Sequence, residues 1–228
     1  MTTIGFLGSG NIGGALARLA VRAGHDVVLS NSRGPETLHE LVAELGPHAR
    51  AATPAEAATA GDIIVVSIPV RAYRQVPAAP LHGRIVIDTL NYDPARQGRV
   101  PEIDAGHTPA PLLLQAHLPG SRVVKAFSTV YFAHLPALAR PAGAADRSTL
   151  PIAGDDPSAR KAVAGLLDSL GYDAYEVGPL AESHRFAPGT PAQHAHLDPA
   201  GLLAAPGRPV SAADLAKLLA TEVTAHRR

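Results

Sequence analysis

The chain has 228 residues, 46% of them hydrophobic and 18% charged, with 21 Gly, 21 Pro, no cysteine and a formal net charge of zero. So apolar and so neutral a chain is not a disordered one. The missing cysteine removes disulfides, thiolate zinc sites and cysteine nucleophiles, and the missing net charge removes the field that would draw in nucleic acid or anionic lipid.

Residues 3–7 predict a strand. Ile12, Ala15, Leu16, Leu19, Ala20 and Ala23 follow at spacings of three and four, which is one helical face, and Gly24 stops that helix. Residues 26–29 predict a second strand. Helices are predicted over 37–45 and 54–60. Residues 62–67 predict a strand apolar on both faces, as a sheet covered on both sides requires. Two more strands are predicted over 84–88 and 122–125. The longest apolar stretch, 63–70, contains Ser67 and Pro69 and falls well short of the about 20 residues a bilayer needs. No basic segment precedes the apolar N-terminus, so the chain is expected to be soluble and cytoplasmic, with no membrane and no nucleic acid among its partners.

The second half repeats the alternation less regularly. A strand is predicted over 148–153. Asp156-Pro157 then makes an N-cap and first helical position, with Val163, Leu166, Leu167 and Leu170 as the buried stripe. A strand is predicted over 172–177. Residues 186–209 are rich in Pro and Gly and hold no period, so a loop or arm is expected. Ser211 and Asp214 open a last helix with Leu215, Leu218, Leu219 and Val223 on one face. Alternating strands and helices predict an α/β doubly wound, mostly parallel sheet. The division expected is a nucleotide-binding Rossmann domain over 1–145 and a small C-terminal α/β extension over 146–228 for substrate or dimerisation.

Gly8-Ser9-Gly10-Asn11-Ile12-Gly13 fits G-x-G-x-x-G, directly after a strand and opening a helix. Gly8 permits the tight turn, Gly10 lets a pyrophosphate approach the backbone, and Gly13 lets helix and strand pack closely. The helix N-terminus presents free N–H groups to the anion. At the end of the second strand, NAD sites carry Asp or Glu. This chain has Asn31, Ser32 and Arg33 there, and no carboxylate before Glu36. Asn and Ser can donate to a 2′-phosphate and Arg can pair with it, so NADP is favoured over NAD. Ser67, Ile68 and Pro69 stand at the end of the strand predicted over 62–67, where ligands of a doubly wound sheet gather. Lys125 ends a later strand on the same edge and reads either as an acid or anion anchor or as a solvated lysine. Asp88 and Asn91 read as substrate contacts or as loop caps. His194 and His196 lie in the arm without a third ligand nearby, so no metal is expected.

Gly8–Gly13, Asn31-Ser-Arg33, Ser67-Ile-Pro69, Val124-Lys-Ala-Phe-Ser-Thr129, Pro151-Ile-Ala-Gly-Asp-Asp156 and Gly178-Pro-Leu180 occur in this order. With these the chain resembles the coenzyme F420-dependent NADP oxidoreductase family from residue 3 to about residue 186. The resemblance implies hydride transfer between NADP(H) and a deazaflavin co-substrate, coenzyme F420, and a homodimer. It implies that Ser9, Asn11 and Ile12 line the pyrophosphate. It places Ser32 and Arg33 on the 2′-phosphate, and Ser67, Ile68, Pro69 and Ala126 beside the nicotinamide. The segment 127–131 would face the second substrate, with Lys125 and Ser128 as candidate catalytic residues. The chain departs from the family after Leu180, where a Pro/Gly-rich arm replaces a regular apolar helix.

A deazaflavin acceptor needs no obligatory side-chain acid. A small imine or ketone, the alternative substrate of an NADPH-dependent reductase, needs a proton donor, for which Lys125, Tyr92, Tyr131 and His134 are the candidates. A non-catalytic NADP-binding sensor is the third reading.

Overall fold

The computed structural model describes residues 1–105, 109–198 and 206–221. Its strands are β1 (Thr3–Leu7), β2 (Asp26–Ser30), β3 (Ala49–Ala51), β4 (Ile63–Val66), β5 (Ile85–Asp88), β6 (Arg122–Lys125), β7 (Thr149–Gly154) and β8 (Asp173–Gly178). Its helices are α1 (Asn11–Arg22), α2 (His39–Leu45), α3 (Pro54–Ala60), α4 (Pro94–Gln97), α5 (Pro101–Asp104), α6 (Ala110–His117), α7 (Leu135–Leu138), α8 (Pro157–Ser169) and α9 (Ala212–Ala220). The strands form one sheet in the order β3-β2-β1-β4-β5-β6-β7-β8. Every pair is parallel except β6 with β7. The chain therefore reverses direction once, and the first six strands make a doubly wound Rossmann sheet.

Burial follows from the strand sequences. Ile63–Val66 is buried at every position, because helices cover both faces. One core lies under α1, α7 and α8, where Phe6, Leu16, Leu29 and Tyr172 meet. The other face is covered by α3 and α6 over Val28, Ile64, Leu81 and Leu114. A third cluster joins Phe186, Ala192, Ala195 and Val210 of the arm to Leu215 and Leu219 of α9 against Ala153.

Differences from the sequence expectations have local causes. The three-residue β3 is too short to show a period, yet it pairs with β2 from Val27 to Leu29. The helix expected over 37–45 starts as a 3-10 turn, Pro35–Leu38, because Gly34 turns the chain at φ +106 before Pro35. The stretch 186–209 is not structureless: a 3-10 turn, Pro191–His194, sits inside it, capped by Thr190. Val223 of the last predicted helical face lies outside the described residues. Among the described residues no helix is long and apolar enough to cross a membrane.

Candidate active site

β1 delivers the chain to the middle of the sheet, between β2 and β4, where the winding direction changes. The glycine loop leaves β1 at that point. Gly8 has φ +104, and a Cβ there would stand 2.1 Å from the carbonyl oxygen of Ser67. A Cβ on Gly13 would stand 2.1 Å from the carbonyl oxygen of Gly8. Both glycines are thus demanded by the fold. Gly10 is different, because a Cβ there would meet nothing within 4 Å. Its bareness leaves open space in front of the helix. The loop is pinned from β2: Gly8 N–H and Ser9 Oγ both donate to the Ser30 carbonyl, at 3.0 and 2.9 Å.

α1 starts without a side-chain cap and carries no acidic residue in its first turn. Side chains close this end of α3, α4, α8 and α9, though not of α2, α5, α6 and α7. Thr53 and Glu56 form a capping box on α3, Asp156 caps α8 and Ser211 caps α9. The first N–H groups of α1 therefore remain available to an anion beside the bare face of Gly10, and this fits a dinucleotide pyrophosphate.

At the end of β2, Asn31 shapes the loop rather than reaching out. Its Oδ1 accepts from the N–H of Arg33 and of Gly34, and its Nδ2 donates to Thr37 Oγ1. Ser32 and Arg33 stand exposed on this turn. No ion pair involves Arg33 among the described residues. A guanidinium without a carboxylate partner at this position suits a phosphate.

A cleft of about 990 Å3 runs from Gly10, Asn11 and Ile12 across Ser67, Ile68 and Pro69 to the segment 127–132. Thr89–Gln97 and the arm residues Pro188, Gln193, His194 and Leu197 close its other sides. The arm had no role in the sequence reading, since nothing in its composition says which surface it covers. Phe127 takes φ 57, in the left-handed region, while buried at 1% exposure. An aromatic residue keeps that conformation only where its surroundings fix it, at a cost of about 1–3 kcal/mol.

Lys125 differs from both of its sequence readings. It is 3% exposed, and so neither solvated nor presented at the cleft. Its Nζ donates to Asp88 Oδ1 at 3.3 Å and to the Leu90 carbonyl. Burial pushes its pKa down, opposed by the Asp88 charge. Asp88, fully buried, is a loop cap: its Oδ1 also accepts from Leu90 N–H at 2.7 Å. Ala126 is buried as well and donates its N–H to the Asp88 carbonyl, so it supports the cleft from below. Ser128 lines the cleft, and its buried Oγ has no hydrogen-bond partner. Tyr92 lines the cleft with its hydroxyl engaged on Asp104 at 2.6 Å and on Val100 N–H. Tyr131 lines it too, with its ring against Phe132 and His134. His134 is buried at 4% exposure and stands behind that ring rather than in the cleft. His194 faces the cleft while His196 is fully buried, so the two diverge, and no group of three or more metal-binding residues occurs among the described residues.

Residues 3–92 match the family model described as NADP oxidoreductase, coenzyme F420-dependent. No curated protein sequence matches the chain. Among solved structures, a hypothetical protein from Sinorhizobium meliloti is 29% identical, with a TM-score of 0.68 over 80% of this chain and 88% of that one. A candidate F420-dependent NADP reductase from Arthrobacter is 24% identical, with a TM-score of 0.68 over 80% of this chain and 87% of that one. An imine reductase from Aspergillus terreus is 18% identical, with a TM-score of 0.58 over 79% of this chain and 56% of that one. The last two likenesses speak for the fold alone.

Proposed function

We propose, from the match of residues 3–92 to the coenzyme F420-dependent NADP oxidoreductase model, that the chain transfers a hydride between NADP(H) and the deazaflavin F420. The match supports an NADP-dependent oxidoreductase. The acceptor is the part that the proposal adds.

The residues divide the work by position. The uncapped N-terminus of α1, with Ser9, Asn11 and Ile12, takes the pyrophosphate, for which Gly10 leaves the space. Ser32 and Arg33, on the turn that Asn31 braces, take the 2′-phosphate. Ser67, Ile68 and Pro69 hold one edge of the nicotinamide, and the segment after Ala126 holds the other. Bound NADPH supplies the hydride. The protein brings donor and acceptor carbons to about 3–3.5 Å and excludes water between them.

The observation that carries the choice of acceptor is that three of the four candidate proton donors, Lys125, Tyr92 and His134, are engaged elsewhere or stand outside the cleft. The Lys125 ammonium is buried on Asp88 and Leu90, the Tyr92 hydroxyl is held by Asp104, and His134 lies behind Tyr131. A deazaflavin tolerates that arrangement, because its protons exchange at a nitrogen remote from the reacting carbon. An imine or ketone would depend on the fourth candidate, Tyr131, or on Ser128 or His194, which line the cleft with it. Mixing the protein with NADPH and F420 should bleach the deazaflavin absorbance. No bleaching, together with imine turnover that Tyr131→Phe abolishes, would replace this reading with that of a small-molecule reductase. Tight NADPH binding without oxidation by either acceptor would point to a sensor. We also propose a homodimer in solution, which a mass measurement at micromolar concentration checks.

A further inference from the structure

Three loops frame the nicotinamide end of the cleft, and each follows a different strand: 67–70 after β4, 88–97 after β5 and 125–131 after β6. They are tied by one run of hydrogen bonds. Lys125 and Asp88 are register partners on adjacent strands, and the pair grips both backbone groups of Leu90. Lys125 Nζ donates to the Leu90 carbonyl and Asp88 Oδ1 accepts the Leu90 N–H. One residue on, Asn91 Nδ2 donates to the Ser128 carbonyl at 2.7 Å, joining the second loop to the third. Gln97 Nε2 donates to the Asn91 carbonyl at 3.2 Å, and its Oε1 accepts Val70 N–H at 3.0 Å, joining the second loop to the first. Thr89 adds a second tie to β4, with N–H and Oγ1 both on the Val66 carbonyl.

We propose that the buried Lys125–Asp88 pair is a positioning device that, through Asn91 and Gln97, holds these three loops in the arrangement that receives the nicotinamide ring. The inference rests on the NADP reading of the site and assigns Lys125 a duty other than proton donation. Two further observations point the same way. Phe127 keeps its left-handed backbone within this frame, and such a conformation persists only where the neighbours over-determine it. A buried ion pair is also a weak way to gain stability and a good way to specify one arrangement. The adenosine end is built from separate parts, Asn31, Thr37 and Gly34 after β2, so the two ends of the nucleotide can be probed apart.

The experiment is calorimetric titration with NADPH and with 2′,5′-ADP, which carries the 2′-phosphate but no nicotinamide. Lys125→Met and Gln97→Leu should each weaken NADPH about tenfold or more and leave 2′,5′-ADP within about twofold, as expected for losing a member, buried for Lys125 and half-buried for Gln97, of one polar network. Should Lys125→Met fail to fold because Asp88 is left charged and alone, Lys125→Met with Asp88→Asn removes the stranded charge, and Gln97→Leu stands on its own. Unchanged NADPH affinity in these variants overturns the inference, and so does an equal loss for both nucleotides, which would mark a general structural role. A wild-type protein that binds neither nucleotide overturns the NADP reading itself and the inference with it, and that control tells the two failures apart.

Discussion

Gly10 and Gly13 are three residues apart in one motif, yet the fold needs only one of them. A methyl group on Gly13 would stand 2.1 Å from the Gly8 carbonyl oxygen, and backbone cannot yield as a flexible side chain can. Gly13→Ala should therefore cost about 1–3 kcal/mol of stability, read as a lowered melting temperature without any ligand. A methyl on Gly10 meets open space. Gly10→Ala should change stability by less than about 1 kcal/mol and still weaken NADPH at least about tenfold, since it fills the room in front of an uncapped helix. At the other end of the nucleotide, Arg33→Ala should weaken NADPH by about 2 kcal/mol through loss of a charge-assisted contact and leave NADH within about twofold. Equal losses for the two nucleotides would remove the 2′-phosphate assignment. The turn and helix start at the glycine loop were legible because the motif is contiguous in sequence, whereas the bracing of the Arg33 turn by Asn31 was not. Lys125 was not. Its partner Asp88 is 37 positions away and is met only once β5 and β6 lie side by side, so nothing around a strand-end lysine showed that it is buried on Asp88 and Leu90.

At the scale of elements, strands of four or more residues declared themselves, while the arm did not, because its order comes from packing against other elements. Ala192, Ala195 and Val210 join Phe186 and α9 over β7, and the Val210 carbonyl accepts Thr149 N–H at 2.8 Å. His196 is the arm's buried titratable anchor, with neither ring nitrogen hydrogen-bonded. Burial pushes its pKa down to about 4 from the ordinary 6.5, against the backbones of Thr129 and Thr149 and with the charges of Arg208 and His134 nearby. The sign follows from linkage. The unfolded chain takes up this proton near pH 6.5 and the folded chain only near 4, so His196 costs nothing above 6.5 and destabilises progressively as pH falls toward 4. The full effect is about 3 kcal/mol. Carboxylates held below their usual range, such as Asp146 beside Arg140, also lose stability on acidification, so the readable quantity is a difference. Denaturant unfolding of wild type and His196→Leu at pH 7.5 and pH 4.5 should show the variant losing less. Parallel losses would mean that the imidazole is not held neutral in the fold.

For the molecule as a whole, the reversal between β6 and β7 is the feature that alternation alone does not foretell. A regular strand–helix rhythm predicts continued parallel winding, and the long loop and α7 between Lys125 and Thr149 carry no sign that the next strand runs the other way. Yet β7 pairs directly with β6 through Lys125 and Ala153, and Tyr172 reaches back from before β8 to donate its hydroxyl to the Leu135 carbonyl at 2.5 Å. The same core cluster runs from Phe6 to Tyr172. Residues 141–146, at the expected boundary, are mostly exposed turn, yet the strands on either side share one sheet and one core, whereas few contacts cross between separable domains. Thermal unfolding should accordingly give a single calorimetric transition whose van 't Hoff and calorimetric enthalpies agree. NADPH at about one hundred times its dissociation constant adds about 2.7 kcal/mol to the folded state, which for a chain of this length raises the whole transition by roughly 5–10 °C. Because the proposed nucleotide contacts follow strands β1, β2 and β4 while β7 and β8 share their sheet, that shift should carry the C-terminal strands along with the rest. Two resolved transitions, only one of them moved by NADPH, would mean that the sheet's continuity is not matched by cooperativity and that the two halves hold together as separate bodies.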